Sequence, residues 1–570
     1  MASDITSMAS KGHGAHGNKV VWAIAGLLLA YAGAAAFGLP QHATELVVDG
    51  HAHHAEGEHA GDSHHGGEHA GSTAPPYWTT IPFVCLLGAI ALFPLLSKTE
   101  HWWEHNVNRF KVAALLACLT LCYYAFLHHS PVAGHWPAHS VAQPTDAAIQ
   151  TSFVGAILGN AILAEFIPFI VLLFSLYTIA GGVRIEGDLQ ANPLTNACFM
   201  AVGGLLASFV GTTGAAMLLI RPLLDTNDER KHVAHTIVFF IFIVCNCGGC
   251  LLPIGDPPLF LGYLNGVSFT WTLGLWEEWL FVNGMLLLTY CLVDQLYFYR
   301  KEKVKDIQRD ASNTKRIRIS GLALNGPLLL GVVLAVALLD PNKSLPGTEW
   351  HAWMYLREVL QLGLVAASLY FGSKKIREAN SFNYHAIVEV AALFIGIFIC
   401  MQPALQILAE QGAVLANSLS PAGFFWATGG LSSFLDNAPT YLVFFKSAQD
   451  TSNLMATTGF VPEMVLRGIA MGAVFMGAMT YIGNGPNFMV KAIAEKSGVK
   501  MPSFFGYMVY SCVFLLPILL LTHWRYLGDV DVSPAQQRAS AVVAPHTDSD
   551  HHDSAAKHSD HASHTSSESH

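Results

Sequence analysis

Long apolar runs separated by short polar connections occupy most of the chain, and this pattern predicts an all-α integral membrane protein. Runs long enough to cross roughly 30 Å of hydrocarbon lie near residues 20–39, 78–97, 111–129, 160–182, 233–262, 276–298, 320–339, 353–371, 384–409, 465–492 and 503–523. Two further runs, 196–223 and 422–447, are broken in the middle. The first break is Gly211, Thr212, Thr213 and Gly214; the second is Asp436, Asn437, Ala438 and Pro439. Each of these two runs is expected to form a re-entrant hairpin.

Basic residues test that layout, because Lys and Arg collect on the cytoplasmic side. With both hairpins returning to the side they came from, one face carries Lys98, Arg109, Lys111, Arg184, Arg221, Arg230, Lys231, eight residues between Arg300 and Arg318, Lys374, Lys375, Arg377, Lys491, Lys496 and Lys500. The other face carries four: Lys343, Arg357, Lys446 and Arg467. The first hairpin is thus expected to enter from the cytoplasm and the second from outside. The first run, which follows Lys11 and Lys19 and ends in small residues at 32–36, fits either a transmembrane helix or a cleaved signal peptide.

Composition narrows the function. Of 570 residues 52% are apolar and 12% charged, with mean hydropathy +0.41; a soluble protein would carry roughly twice that charged fraction. No HExxH or GxxxxGK[ST] is present, so neither a zinc protease nor an ATP-driven pump is indicated, and nothing marks an enzyme or a resident cofactor. The formal charge of -10 comes from 41–77 and 526–570, which leaves no basic face for nucleic acid. Both stretches are His-rich and read as disordered, extracytoplasmic segments. Cys245, Cys247 and Cys250 lie in an apolar run with two glycines, where small residues serve close helix packing rather than a metal.

The chain also repeats itself. Ser208, in GGLLASF, returns as Ser433 in GGLSSF, 225 residues on; IGDPPLF at 254–260 returns as IGNGPNF at 482–488, 228 residues on; Glu165 answers to Glu389 at an offset of 224. Each copy holds an acidic span, a broken hairpin and a span interrupted by Pro and Gly, and the charge count makes the copies antiparallel. Inverted repeats with discontinuous helices mark secondary transporters, whose site lies where the breaks meet, because non-helical backbone at that depth persists only around a polar cavity.

Asp256 and Asp436 sit in two of those breaks. A carboxylate buried without a partner takes up a proton, so a group that is protonated when empty and ionised when holding a cation can run cation/proton exchange. Hard cations take oxygen ligands, and Thr212, Thr213, Asn437, Thr480, Asn484 and Asn487 offer them, with Glu165 and Glu389 as further candidates. The bland alternative for an Asp in a break is a helix N-cap; for the Asn and Thr residues, satisfaction of broken backbone; for Arg221, a cytoplasmic anchor.

The segments LLPIGDPPLF (251–260) and SSFLDNAPTYL (432–442) resemble the ion-transporter superfamily, in particular NhaD-type sodium/proton antiporters, and GTTGAAMLLIRPLL (211–224) resembles its citrate-transporter branch. The resemblance covers about residues 78–524. It implies a homodimer, a scaffold and a transport domain in each protomer, elevator-like alternating access, and cation ligation by Asp256, Asp436 and Asn437. Where dicarboxylate carriers of the superfamily have Ser-Asn-Thr at both hairpin tips, this chain has Gly-Thr-Thr-Gly and Asp-Asn-Ala-Pro, and acid at the second tip disfavours an anionic substrate.

The expected layout is therefore a signal peptide or first transmembrane helix (1–40), a His-rich segment (41–77), transmembrane repeat 1 with lead-in helices (78–299), a basic cytoplasmic linker (300–319), transmembrane repeat 2 (320–524) and a His-rich tail (525–570). The expected function is a plasma-membrane (inner-membrane) Na+/H+ antiporter, with lipid and small ions as its partners and Asp256 and Asp436 as the Na+ ligands. A cation-coupled citrate or carboxylate carrier is the first alternative, and a metal-handling His-rich membrane protein the second.

Overall fold

The computed structural model describes residues 2–57, 74–96, 98–138, 140–380, 382–408, 419–449, 457–458 and 461–528. It is a helical membrane protein. Among the described residues six helices are long and apolar enough to cross a bilayer, and a seventh span is made by His385–Cys400 and Gln402–Leu408, bent by 43° at their junction. Three apolar runs form shorter helices: Tyr77–Leu92, Ala234–Cys250 and Leu322–Leu338.

The lead-in comprises α1 (Ala2–Ala36), α2 (Leu39–Gly57), α3 (Ile81–Leu92) and α4 (Asn106–Phe126). Helix α2 departs from the disorder expected over 41–77. Its Thr44 hydroxyl donates to Pro40 O at 2.9 Å and accepts from Met354 N at 2.8 Å, and Tyr31 of α1 donates to Met354 O at 3.0 Å, so both helices dock on the chain before α13 (below). Residues 58–73 and the His-rich tail from 529 onward lie outside the described residues.

Repeat 1 begins with α5 (Thr151–Ala180), which is wound as a π-helix over Gly159–Phe166. Strand β1 (Arg184–Asp188) follows, then α6 (Pro193–Val210), α7 (Thr212–Thr226), α8 (Ala234–Val244), α9 (Pro257–Leu264) and α10 (Trp276–Val293). The basic linker is ordered: it holds α11 (Val304–Asn313) and strand β2 (Lys315–Ser320), which pairs antiparallel with β1. Repeat 2 contains α12 (Leu322–Leu338), α13 (Leu356–Phe371), α14 (His385–Cys400), α15 (Pro421–Ser432), α16 (Asn437–Ala448), α17 (Glu463–Met476), α18 (Gly485–Lys496) and α19 (Phe504–Tyr526).

Helices α6 and α7 form one helical hairpin. Asn196 and Asn227, at its open end, exchange side-chain hydrogen bonds of 2.9 and 2.8 Å while both are buried, and Gly211 makes the tip with φ +79, a conformation that a Cβ would strain. Helices α15 and α16 form the second hairpin, turning at Ser433–Asp436. The two hairpins open at opposite ends of α10, which at 18 residues is about 27 Å long. Beside the start of α10, Arg467 bonds Glu278 at 2.7 Å, and the adjacent Gly468 packs against Pro421, the first residue of α15. At the far end of α10, Asp294 receives Arg230, three residues beyond Asn227. The two hairpins therefore point in opposite directions.

Matched contacts confirm the repeat register. Ser208 Oγ donates to Gly248 O at 2.6 Å, and Ser433 Oγ donates to Met476 O at 3.2 Å, positions related by 225 and 228 residues. The CNCGGC segment is packing, as expected: a Cβ on Gly248 would lie 2.5 Å from Gly204 Cα and 2.6 Å from Gly204 O. Gly248→Ala is expected to cost about 1–3 kcal/mol through overpacking. Gly430→Ala, within α15 and with nothing within 4 Å of its Cβ position, should by contrast raise the melting midpoint in detergent slightly, since Ala favours a helix over Gly by about 0.5–1 kcal/mol.

On the basic face, carboxylate oxygens of Asp188, Glu229 and Asp310 lie within 4.8 Å of one another. Burial, and then the Glu229 charge, raise the Asp188 carboxyl above the usual range. A carboxylate whose folded pKa is raised opposes folding once ionised. Asp188→Asn should thus raise the melting midpoint at pH 7, with the gain shrinking as pH falls and protonation does the same work in the parent protein.

Candidate functional site

Four interruptions of the helical framework converge on the carboxylate of Asp256, which is 1% exposed. Asp256 occupies the N-cap position of α9 but makes no capping bond. The next two residues, Pro257 and Pro258, have no N–H to offer, and Leu259 N bonds the main-chain oxygen of Asp256 at 3.1 Å, so the carboxylate turns to other segments. Oδ1 accepts from Thr212 Oγ1, at the tip of the first hairpin, at 3.1 Å and from Asn484 Nδ2, in the break of repeat 2, at 3.2 Å. Oδ2 accepts from Asn437 Nδ2, at the tip of the second hairpin, at 2.7 Å. Thr212 and Asn437 are related by the 225-residue offset, and Asp256 and Asn484 by the 228-residue offset. The pseudo-symmetry thus brings two equivalent tips and two equivalent breaks to one point.

Asp436 has a different role from Asp256. Its Oδ1 accepts from Ala438 N at 3.2 Å, so it caps α16, and its side chain is half-buried beside the tip. Its charge still acts on Asp256. The side chains bonded to Asp256, those of Thr212, Asn437 and Asn484, are all neutral. Asn437 Oδ1, in a residue with no exposed surface, has no hydrogen-bond partner. An orphaned amide oxygen beside a buried carboxylate and a threonine hydroxyl is a donor set suited to a hard cation such as Na+.

Other candidates lie outside this cluster. Thr480 Oγ1 donates to Ser433 O and accepts from Ile482 N and Gly483 N, satisfying the broken backbone. Asn487 Nδ2 donates to Gly477 O and Thr480 O at 2.9 and 3.0 Å, again a backbone role. Thr213 is half-buried and is not among the groups bonded to Asp256. Glu389 pairs with Arg109 of α4 at 2.8 Å. Glu165, in the π-helical turn, keeps one carboxylate oxygen without a hydrogen-bond partner, and Lys446 lies within α16, in the second hairpin rather than in an external loop. Arg221 donates to Asn380 O at the basic face, as an anchor would.

Two groups were missed from sequence. Asn246, fully buried between α8 and α9, accepts from Asn484 Nδ2 at 3.2 Å and donates to Asn487 Oδ1 at 2.8 Å. The only signal is a lone amide in an apolar run, and its cysteine neighbours obscured it. The second is a buried network in which Arg230, His235 and Tyr290 all bond Asp294, at 2.9, 3.0 and 3.0 Å.

No curated protein matches the chain. A family model described as "Putative citrate transport" matches residues 72–142 and 126–527, most of the chain. With that match and a multi-pass helical fold, the chain belongs to this transporter family.

Proposed function

We propose that the protein is a secondary transporter that exchanges Na+ for protons at Asp256. One observation carries this reading: a fully buried carboxylate that caps nothing, held by donors from both hairpin tips and the opposite break, next to the unpartnered Oδ1 of Asn437. The Asn437 oxygen has no partner and can ligate a cation when one arrives, while Asn484 holds the carboxylate in place through its Nδ2. The proton and the cation compete for the same oxygens, which couples their fluxes. The hairpins are re-entrant, the basic face is cytoplasmic in the plasma membrane, and the His-rich segments face outward.

The family description favours a second reading, Na+-coupled uptake of citrate or a similar carboxylate. Against it, the side chains bonded to Asp256 are all neutral and Asp436 lies at the adjoining tip, so an anion at this point would need a bound Na+ to offset the charge. Proteoliposomes carrying a pH dye separate the two. A Na+ gradient should drive proton counterflow without citrate. Na+-dependent uptake of labelled citrate with no proton counterflow would replace antiport by symport.

A further inference from the structure

We infer that Asn246 is a positioning residue of the cation site, acting through Asn484; this rests on the antiport reading above. Asn484 Nδ2 has two hydrogens and three acceptors in reach: Cys245 O at 3.0 Å, Asn246 Oδ1 at 3.2 Å and Asp256 Oδ1 at 3.2 Å. The first two lie together on the chain and hold the amide so that its nitrogen faces Asp256. Asn246 is itself fixed, because its Nδ2 donates to Ile241 O, in the last turn of α8, at 2.9 Å and to Asn487 Oδ1 at 2.8 Å. The buried side chain therefore spans the breaks of both repeats and sets which end of Asn484 meets the carboxylate.

The repeat itself shows that this link is a departure from symmetry. The 228-residue offset places Val474 opposite Asn246 and Leu259 opposite Asn487. All four residues are buried. An amide pair thus occupies one side of the pseudo-axis where an apolar pair occupies the other. Packing does not demand amides at this crossing, since the fold fills the equivalent crossing with Val and Leu. What the amides add is a hold on Asn484 and, through Asn487, bonds to Gly477 O and Thr480 O in the same break.

The apolar pair supplies the test. Asn246→Val alone, and Asn246→Val with Asn487→Leu, remove the hold; Asn487→Leu alone keeps Asn246 Oδ1 available to Asn484. In proteoliposomes with a pH dye and Na+, both proteins carrying Asn246→Val should show an apparent KM for Na+ raised roughly tenfold, equivalent to about 1.4 kcal/mol, with maximal rate within about twofold of the parent. Asn487→Leu, which also frees Gly477 O and Thr480 O, should raise KM less than Asn246→Val does. A parent-like KM in a folded Asn246→Val protein, or an equal rise in Asn487→Leu, overturns the role; the double variant, built from side chains the fold already accepts at the mirrored crossing, supplies the same measurement if the single one does not fold. Absence of Na+-driven proton flux in the parent would instead refute the antiport reading on which the role depends.

Discussion

Asp256→Asn is expected to give a protein that inserts, purifies and melts near the parent temperature, yet exchanges no more Na+ for protons than empty vesicles. The substitution keeps shape and removes the one buried carboxylate on which Thr212, Asn437 and Asn484 converge, and without an ionisable oxygen there is nothing for proton and cation to share. Asp436→Asn should behave differently. Asn caps a helix about as well as Asp, so the bond from Ala438 N survives; what is lost is one negative charge beside Asp256. The expected outcome is continued exchange with an apparent KM for Na+ raised by roughly tenfold, or about 1.4 kcal/mol. Comparing the two variants in one dye assay checks this division. Full activity in Asp256→Asn would move the site elsewhere.

The second large effect is on stability. Arg230→Met leaves Asp294 buried, with side-chain exposures of 4% and 0% for the two partners in the parent, and breaking a buried pair from one side costs about 3–5 kcal/mol. His235 and Tyr290 remain as partners, so the protein should still fold but melt markedly earlier in detergent. Arg230→Met with Asp294→Asn removes both charges and should recover much of the loss. A double variant as unstable as the single one would show that the fold needs the ions themselves.

Much of this architecture could be read from residue order, because the bilayer leaves few options. The breaks at Gly211 and Asp436 and the IG[D/N]xPxF motifs located the hairpins and the interrupted spans, and the offsets of 224 to 228 located the repeat. Less legible was the division of labour between the acids. Asp256 and Asp436 look alike in sequence, each followed within three residues by proline; only geometry shows that Asp256 makes no capping bond whereas Ala438 N gives Asp436 one. Glu165 and Glu389 share an offset but not an environment, since Arg109 pairs with Glu389 while a Glu165 oxygen has no hydrogen-bond partner. Long-range pairings of this kind leave no local mark. Helix α2 shows the opposite limit: histidine-rich composition suggested disorder, while a tertiary dock through Thr44 orders at least its first turns.

Helix α10 is fastened at both tips, to Arg467 through Glu278 and to Arg230 through Asp294. Those arginines belong to opposite repeats and sit next to the mouths of opposite hairpins. In the proposed exchanger, a push delivered to either hairpin would be passed along this one rod to the other. Cargo carried by Asp256 would travel with rod and hairpins together, like a drawer sliding in its frame, and severing either fastening should uncouple the two mouths without emptying the drawer.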